Sequence, residues 1–429
     1  MLKITKIDRI KQIFAGRYVR NVGWLGAAEL FNRIFRLGTT VTLARVFSAE
    51  EYGLMAIIYT TIDFATVFTL KHGISAKIIQ TDEKNLTAIC NTCYWLNWLL
   101  CGSILIIQCL LAFVITGFYG DRQLILPLCV VSLIYLIFPF FLVNCAIIER
   151  ENRLKVTAIC NAAQSLVSNT LTVIFILMGM GIWAIVWAMI LSNPIWVLVT
   201  WKYSSWRPPK QVTFQYWREI TNFGKNLLGV EILNKLRMNL DYLIVGRFLG
   251  VDALGMYFFA FNAGSGITNN VVYALMSALF PHLCAVRQNL TQLKQQYYKS
   301  LKSIALIVAP LVILQSALSP VYVPIIFGQK WVDTVPILIM ICLSVIPRTF
   351  SWAASMLLNS VDQTHITLRL DLIFTVIFAV AILAAVNFSI YWVAAAVLLS
   401  QAMVLPIFTY WASKQVFIPN RKKNATDCS

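Results

Sequence analysis

The sequence predicts an all-α integral membrane protein, with about twelve transmembrane helices in two pseudo-symmetric six-helix bundles. Three observations predict it. Apolar blocks long enough to cross a hydrocarbon layer of about 30 Å recur along the chain between short polar breaks. Lysine and arginine collect on alternate breaks. A pattern of charged, amide and glycine residues occurs twice at one fixed offset.

The composition excludes an ordinary water-soluble enzyme. Of 429 residues, 59% are hydrophobic and 12% charged, against about 25% charged in a soluble domain. Mean hydropathy is +0.73. The alternation over ~10-residue segments that marks a membrane barrel is absent. The net charge of +17 fits basic residues gathered on the cytoplasmic side of a membrane protein, so nucleic acid is not an expected partner.

The helices are expected at 21–46, 51–71, 88–116, 123–148, 156–179, 182–201, 222–246, 254–280, 303–327, 332–358, 369–387 and 390–412. Breaks fall at Gly117, Gly120 and Asp121, at Gly179 and Gly181, at Phe327-Gly-Gln-Lys330 and at Asn387-Phe-Ser389. With the N-terminus inside, 25 basic residues lie on inner segments and only Arg45, Arg122, Arg247 and Lys330 on outer ones. Both termini are therefore expected in the cytoplasm. The outer loops are short, and the longest connections, 202–221 and 281–302, are cytoplasmic.

The repeat divides the chain. At an offset of 202, as from Leu25 to Leu227, Glu29 falls on Glu231, Asn32 on Asn234, Arg33 on Lys235, Arg45 on Arg247, Glu50 on Asp252 and Gly53 on Gly255. Six helices per copy keep the same membrane orientation, so an axis along the membrane normal should relate the halves. Pro208 and Pro209 forbid helix continuation between them. The expected organisation is a basic N-terminal segment 1–20, a first bundle 21–201, a cytoplasmic linker 202–221, a second bundle 222–412 and a basic tail 413–429. In the first segment Ile4, Ile7, Ile10 and Ile13 alternate with Lys3, Lys6, Arg9 and Lys11, which suits either a helix on an anionic leaflet or a disordered tail. Ser48 and Glu51 have capping-box spacing for the second helix. Gly53 and Gly255 would allow close packing nearby.

Charges within apolar helices are costly unless paired or hydrated, and so mark function. The expected substrate-binding set is Arg33, Arg36, Lys235, Arg237 and Arg348; the acids Glu29, Glu231, Asp63 and Asp241 would brace it or carry a coupling proton or Na⁺. Glu29/Arg33, Glu231/Lys235 and Arg237/Asp241 are each four apart on one helical face, which also permits pure structural pairing. Asn144, Asn161 and Asn169 could line a cavity or bond helices together. Pro194 after Asn193, and Pro347 before Arg348, mark candidate hinges.

No catalytic residue and no metal ligand is expected. Cys90-Asn-Thr-Cys93 has metal spacing but stands alone, without a second pair or a nearby histidine, so packing explains it better. No GxxxxGK[ST], HExxH or GxSxG occurs. No cofactor is expected, beyond coupling to an H⁺ or Na⁺ gradient.

Specific motifs then carry a resemblance. Asn239-Leu-Asp241-Tyr-Leu-Ile-Val-Gly246-Arg247-Phe-Leu-Gly250, Ala44-Arg45-Val-Phe-Ser48 with Glu51-Tyr52-Gly53-Leu54, Gly181-Ile-Trp183-Ala184, Ser205-Trp206-Arg207-Pro208, Leu279-Phe-Pro281 and Phe327-Gly328-Gln-Lys330-Trp331 run in order from about residue 20 to 370. Together they resemble the Wzx/WzxC-like polysaccharide flippases of the multidrug/oligosaccharidyl-lipid/polysaccharide exporter (MOP/MATE-like) superfamily. The resemblance implies a bacterial inner-membrane flippase that turns an undecaprenyl-pyrophosphate-linked oligosaccharide to the outer leaflet by alternating access, around a cationic cavity. It implies a lipid-linked oligosaccharide and membrane lipids as partners, with a polysaccharide polymerase and export machinery beside them. Many relatives carry further C-terminal helices, so a lipid groove built from those helices is not expected. Two other readings stand beside it. One is an ion-coupled exporter of small cationic drugs, which should line its cavity with acids. The other is a membrane glycosyltransferase or polymerase, which should carry a large outer loop.

Overall fold

A backbone in hydrocarbon must satisfy its own N–H and C=O groups, which leaves helices as the spanning element of a chain with this pattern. The computed structural model describes residues 35–417, and among them there are helices and no strand. In chain order the helical stretches are α1 (35–46), α2 (Ala49–Gln80), α3 (Glu83–Tyr119), α4 (Arg122–Arg150), α5 (Lys155–Leu177), α6 (Trp183–Tyr203), α7 (Trp217–Phe248), α8 (Val251–Ala285), α9 (Leu290–Phe327), α10 (Gln329–Ser360), α11 (Thr364–Ala385) and α12 (Ile390–Phe417). Nine of these, α2–α6 and α9–α12, are long and apolar enough to cross a bilayer. The helix α7 falls outside that group because Glu231, Lys235, Arg237 and Asp241 interrupt it, and α8 because Asn262, Ser265, Thr268, Asn269 and Asn270 do. Both occupy positions where the sequence places helices.

The breaks follow local chemistry. Ser48 and Glu51 form the expected capping box: Ser48 Oγ accepts the Glu51 N–H at 3.1 Å, and Glu51 Oε2 accepts the Ser48 N–H at 2.9 Å. Helix α3 stops at Gly120, whose φ of 80° only glycine adopts cheaply, with its N–H on the Thr116 carbonyl. Asp121 then accepts the Gln123 N–H at 2.8 Å and turns the chain. In α6 the helix breaks at Asn193, where Pro194 starts a new segment, whereas α10 runs helical through Pro347.

Two connections differ from expectation. The chain between 71 and 88 is largely helical over Lys71–Gln80, after a turn at Leu70. Ile74 and Ile78 are four apart and buried, giving that segment an apolar stripe. Arg150 donates to the carbonyls of Ile78, at 2.7 Å, and of Thr81, closing its C-terminus. The expected long connection 281–302 is likewise mostly helix. Helix α8 continues to Ala285, and Asn289 caps α9 by accepting the N–H groups of Thr291 and Gln292, both at 3.1 Å. Leu293 and Tyr297 bury the stripe behind that cap.

The helices form two compact units. Residues 35–47 with Ile57–Leu236 make the first; Ser48–Ala56 with residues 237–417 make the second. In the first, Cys90 and Cys93 are fully buried and pack with Ile74, Ile78, Val143 and Ile220, as small hydrophobes do. The stretch before α7 is seated on this core: Trp206 lies edge-on to Tyr94 at 5.8 Å, and Trp95 Nε1 donates to the Gln211 carbonyl at 2.9 Å. In the second unit Trp331 is buried and stacks on Phe259 at 4.1 Å, with Tyr52 edge-on at 5.0 Å. There a Cβ placed on Gly53 would clash with the Val251 carbonyl oxygen, and one on Gly255 with the Ala49 carbonyl oxygen. The glycines thus permit the close backbone approach their spacing foretells.

Candidate functional site

The first unit carries an open cavity of about 400 Å³. Helix α5 is apolar overall but carries Asn161, Gln164, Ser165, Ser168 and Asn169 at i, i+3, i+4, i+7 and i+8, so the polar groups fall on one face. That face lines the cavity, joined by Arg36 of α1, Tyr59 of α2 and Ser192 with Asn193 at the break in α6. Among the described residues no carboxylate lines it. Several amides are held in place. Trp196 Nε1 donates to Gln164 Oε1 at 2.7 Å, Asn193 Nδ2 donates to the Met189 carbonyl at 2.7 Å, and Asn169 Nδ2 donates to the Ser165 carbonyl at 2.7 Å. Asn161 and Asn169 are thus at a cavity as one of their two expected roles had it, while Asn144 is buried and donates to the Phe140 carbonyl at 3.5 Å. Gln164, Ser165, Ser168 and Ser192 were not singled out in the sequence; the polar stripe at helical spacing marks the first three, and Ser192 adjoins the Asn193-Pro194 break.

Among the expected charged residues, Arg36 is exposed and lines this cavity. Lys235 of α7 pairs with Asp63 of α2, Nζ to Oδ2 at 2.8 Å. Glu231, one turn earlier in α7, makes no ion pair with a described residue, so the local Glu231/Lys235 pairing does not form. Glu29 and Arg33 lie outside the described residues.

In the second unit Arg237 likewise chooses a distant partner, Asp371 of α11, at 2.7 Å, rather than Asp241. Asp241 is buried and accepts from the Tyr257 hydroxyl at 2.8 Å and the Tyr242 N–H at 3.0 Å. Arg348 donates to Asn269 Oδ1 at 2.7 Å and lies over the Phe261 ring at 6.0 Å. A buried carboxylate with two donors, and a half-buried guanidinium held by an amide and a ring, are polar groups satisfied within the helices. Among the described residues no cluster of three or more His, Cys, Asp or Glu could hold a metal.

The fold is shared with solved transporters. An inward-facing multidrug resistance MATE family transporter of the MOP superfamily matches with a TM-score of 0.75 at 14% identity, over 90% of this chain and 94% of that one. The lipid II flippase MurJ in an inward closed conformation matches at 0.74 and 13%, over 92% and 89%. Among curated sequences, the teichuronic acid biosynthesis protein TuaB of Bacillus subtilis is 23% identical over 400 residues, covering 89% of this chain and 81% of the relative. The lipopolysaccharide biosynthesis protein WzxC of Escherichia coli is 24% identical over 350 residues, covering 79% and 69%. A family model described as polysaccharide biosynthesis protein matches residues 42–336, most of the chain, and this integral membrane protein belongs to that family.

Proposed function

We propose that the chain is a flippase for a lipid-linked oligosaccharide in polysaccharide biosynthesis, moving it from the cytoplasmic to the outer leaflet of a bacterial inner membrane by alternating access. The observation that carries the reading is the charge of its polar interior: Arg36 opens on a cavity whose other described lining residues are neutral, with no carboxylate among them. A cationic drug would need acids there, whereas a phosphate-bearing headgroup suits arginine. Family membership and the fold shared with MATE and MurJ support it.

In this proposal Arg33, Arg36, Lys235, Arg237 and Arg348 supply the cationic surface for the pyrophosphate. Glu29, Glu231, Asp63 and Asp241 hold the basic groups in place or carry a coupling proton or Na⁺. The bundles 21–201 and 222–412 are the moving bodies, both termini are cytoplasmic, and a polymerase with export machinery takes the product. The test is polysaccharide export in a host lacking its own flippase, comparing the intact chain with Arg33→Gln/Lys235→Gln. Rescue by the intact chain alone supports both parts. Rescue by both keeps the function and reduces those residues to structural pairing. Failure of the intact chain across hosts making neutral and acidic polysaccharides overturns the flippase reading. Transport into proteoliposomes with and without an imposed proton or sodium gradient tests the coupling.

A further inference from the structure

We infer that the cavity of the first unit is a saccharide subsite, seating a pyranose unit of the transported molecule through fixed neutral hydrogen-bonding groups. The inference rests on the flippase reading and adds where the sugar is held. Sugar hydroxyls both donate and accept, so a site for them needs donors and acceptors side by side in set orientations. This cavity has that arrangement. An indole N–H only donates, so the Trp196 contact fixes Oε1 of Gln164 as the accepting end and leaves the Nε2 hydrogens for a ligand. Carbonyls only accept, so the Met189 and Ser165 contacts leave Oδ1 of Asn193 and of Asn169 as acceptors. Ser168 adds a hydroxyl that turns to suit. Arg36 lies where an acidic group on the sugar, or the phosphate beyond it, would meet a cation. The volume of about 400 Å³ is within the range of small-ligand sites. Groups fixed before binding lose little freedom on binding, which is how neutral contacts become selective.

The test is saturation-transfer NMR on the purified chain in lipid nanodiscs, with methyl β-D-glucopyranoside, methyl N-acetyl-β-D-glucosaminide and methyl β-D-glucuronide as probes. Transfer to the ring protons of at least one pyranoside is expected. Gln164→Glu keeps the acceptor for Trp196 but turns the Nε2 donor into an acceptor, and should weaken that signal about tenfold. Ser168→Ala, which disturbs no amide, should weaken it by less, and both variants should elute as monodisperse protein. No transfer from any of the three pyranosides, or transfer unchanged in both variants, overturns the subsite. Binding of farnesyl pyrophosphate to the intact chain separates the two readings. If it binds and no pyranoside does, the subsite alone falls. If pyranosides bind and it does not, the subsite stands and the lipid-linked part of the function falls. If neither binds, both fall.

Discussion

Lys235 and Asp63 meet at 2.8 Å although 172 residues separate them in the chain. Their side chains are 33% and 51% exposed, so the pair is worth about 0–1 kcal/mol to stability. Asp63→Asn and Lys235→Gln should therefore each shift the unfolding midpoint by no more than about 4 °C. Export should separate them: Lys235→Gln loses it, because the cation serves the substrate. The exchanged pair Asp63→Lys/Lys235→Asp should leave export lost. Restored export in the exchanged pair would assign Lys235 to bracing alone.

Arg150 holds the carbonyls that end the Lys71–Gln80 segment. Its removal strips a charged donor from partly buried acceptors, a loss of about 1–3 kcal/mol. Arg150→Ala should unfold earlier than the intact chain in a fluorescence-detected thermal scan. Arg150→Lys, which offers one point charge in place of a fork, should fall between them.

At Gly255 an added methyl meets backbone, which cannot swing aside as a flexible side chain can. Gly255→Ala and Gly53→Ala should cut the yield of monodisperse protein sharply. Gly102→Ala, with nothing within 4 Å of the new Cβ, should leave it unchanged. Equal yields for all three would remove the tight crossing from the account of stability.

Tyr257→Phe takes the hydroxyl donor from a carboxylate that is only 6% exposed. Leaving that oxygen without its partner should cost about 1.5–3 kcal/mol, read as an earlier thermal midpoint. Asp241→Asn keeps an oxygen for the Tyr257 hydroxyl and removes the buried charge, so its loss should be smaller. The reverse order would mean that the tyrosine packs here without bonding.

Much of this fold is legible in the sequence because the bilayer imposes it. Helix length, polar breaks, the capping box at Ser48 and Glu51, and the close-packing glycines all follow from local chemistry. The segment Lys71–Gln80 was hidden because two buried isoleucines, Ile74 and Ile78, carry its periodicity among polar neighbours. Charge partners were hidden for a different reason. The four-residue rule is local, whereas Lys235 with Asp63 and Arg237 with Asp371 depend on how whole helices are rotated against each other. The cavity was half legible: Asn161 and Asn169 stand out as amides in an apolar run, but only the full stripe with Gln164, Ser165 and Ser168 describes a surface.

The ion pair of Lys235 also bears on how the chain is made. On a translocon insertion scale each lysine, arginine or aspartate at a helix centre costs about 2.5–3.5 kcal/mol, and α7 carries Lys235, Arg237 and Asp241 within a few residues. Such a helix is a poor substrate for the insertion machinery when it emerges alone from the ribosome. Asp63 emerges long before it. A counter-charge already in the membrane would offer Lys235 a partner as α7 enters, a role for the early helices in the making of the later one.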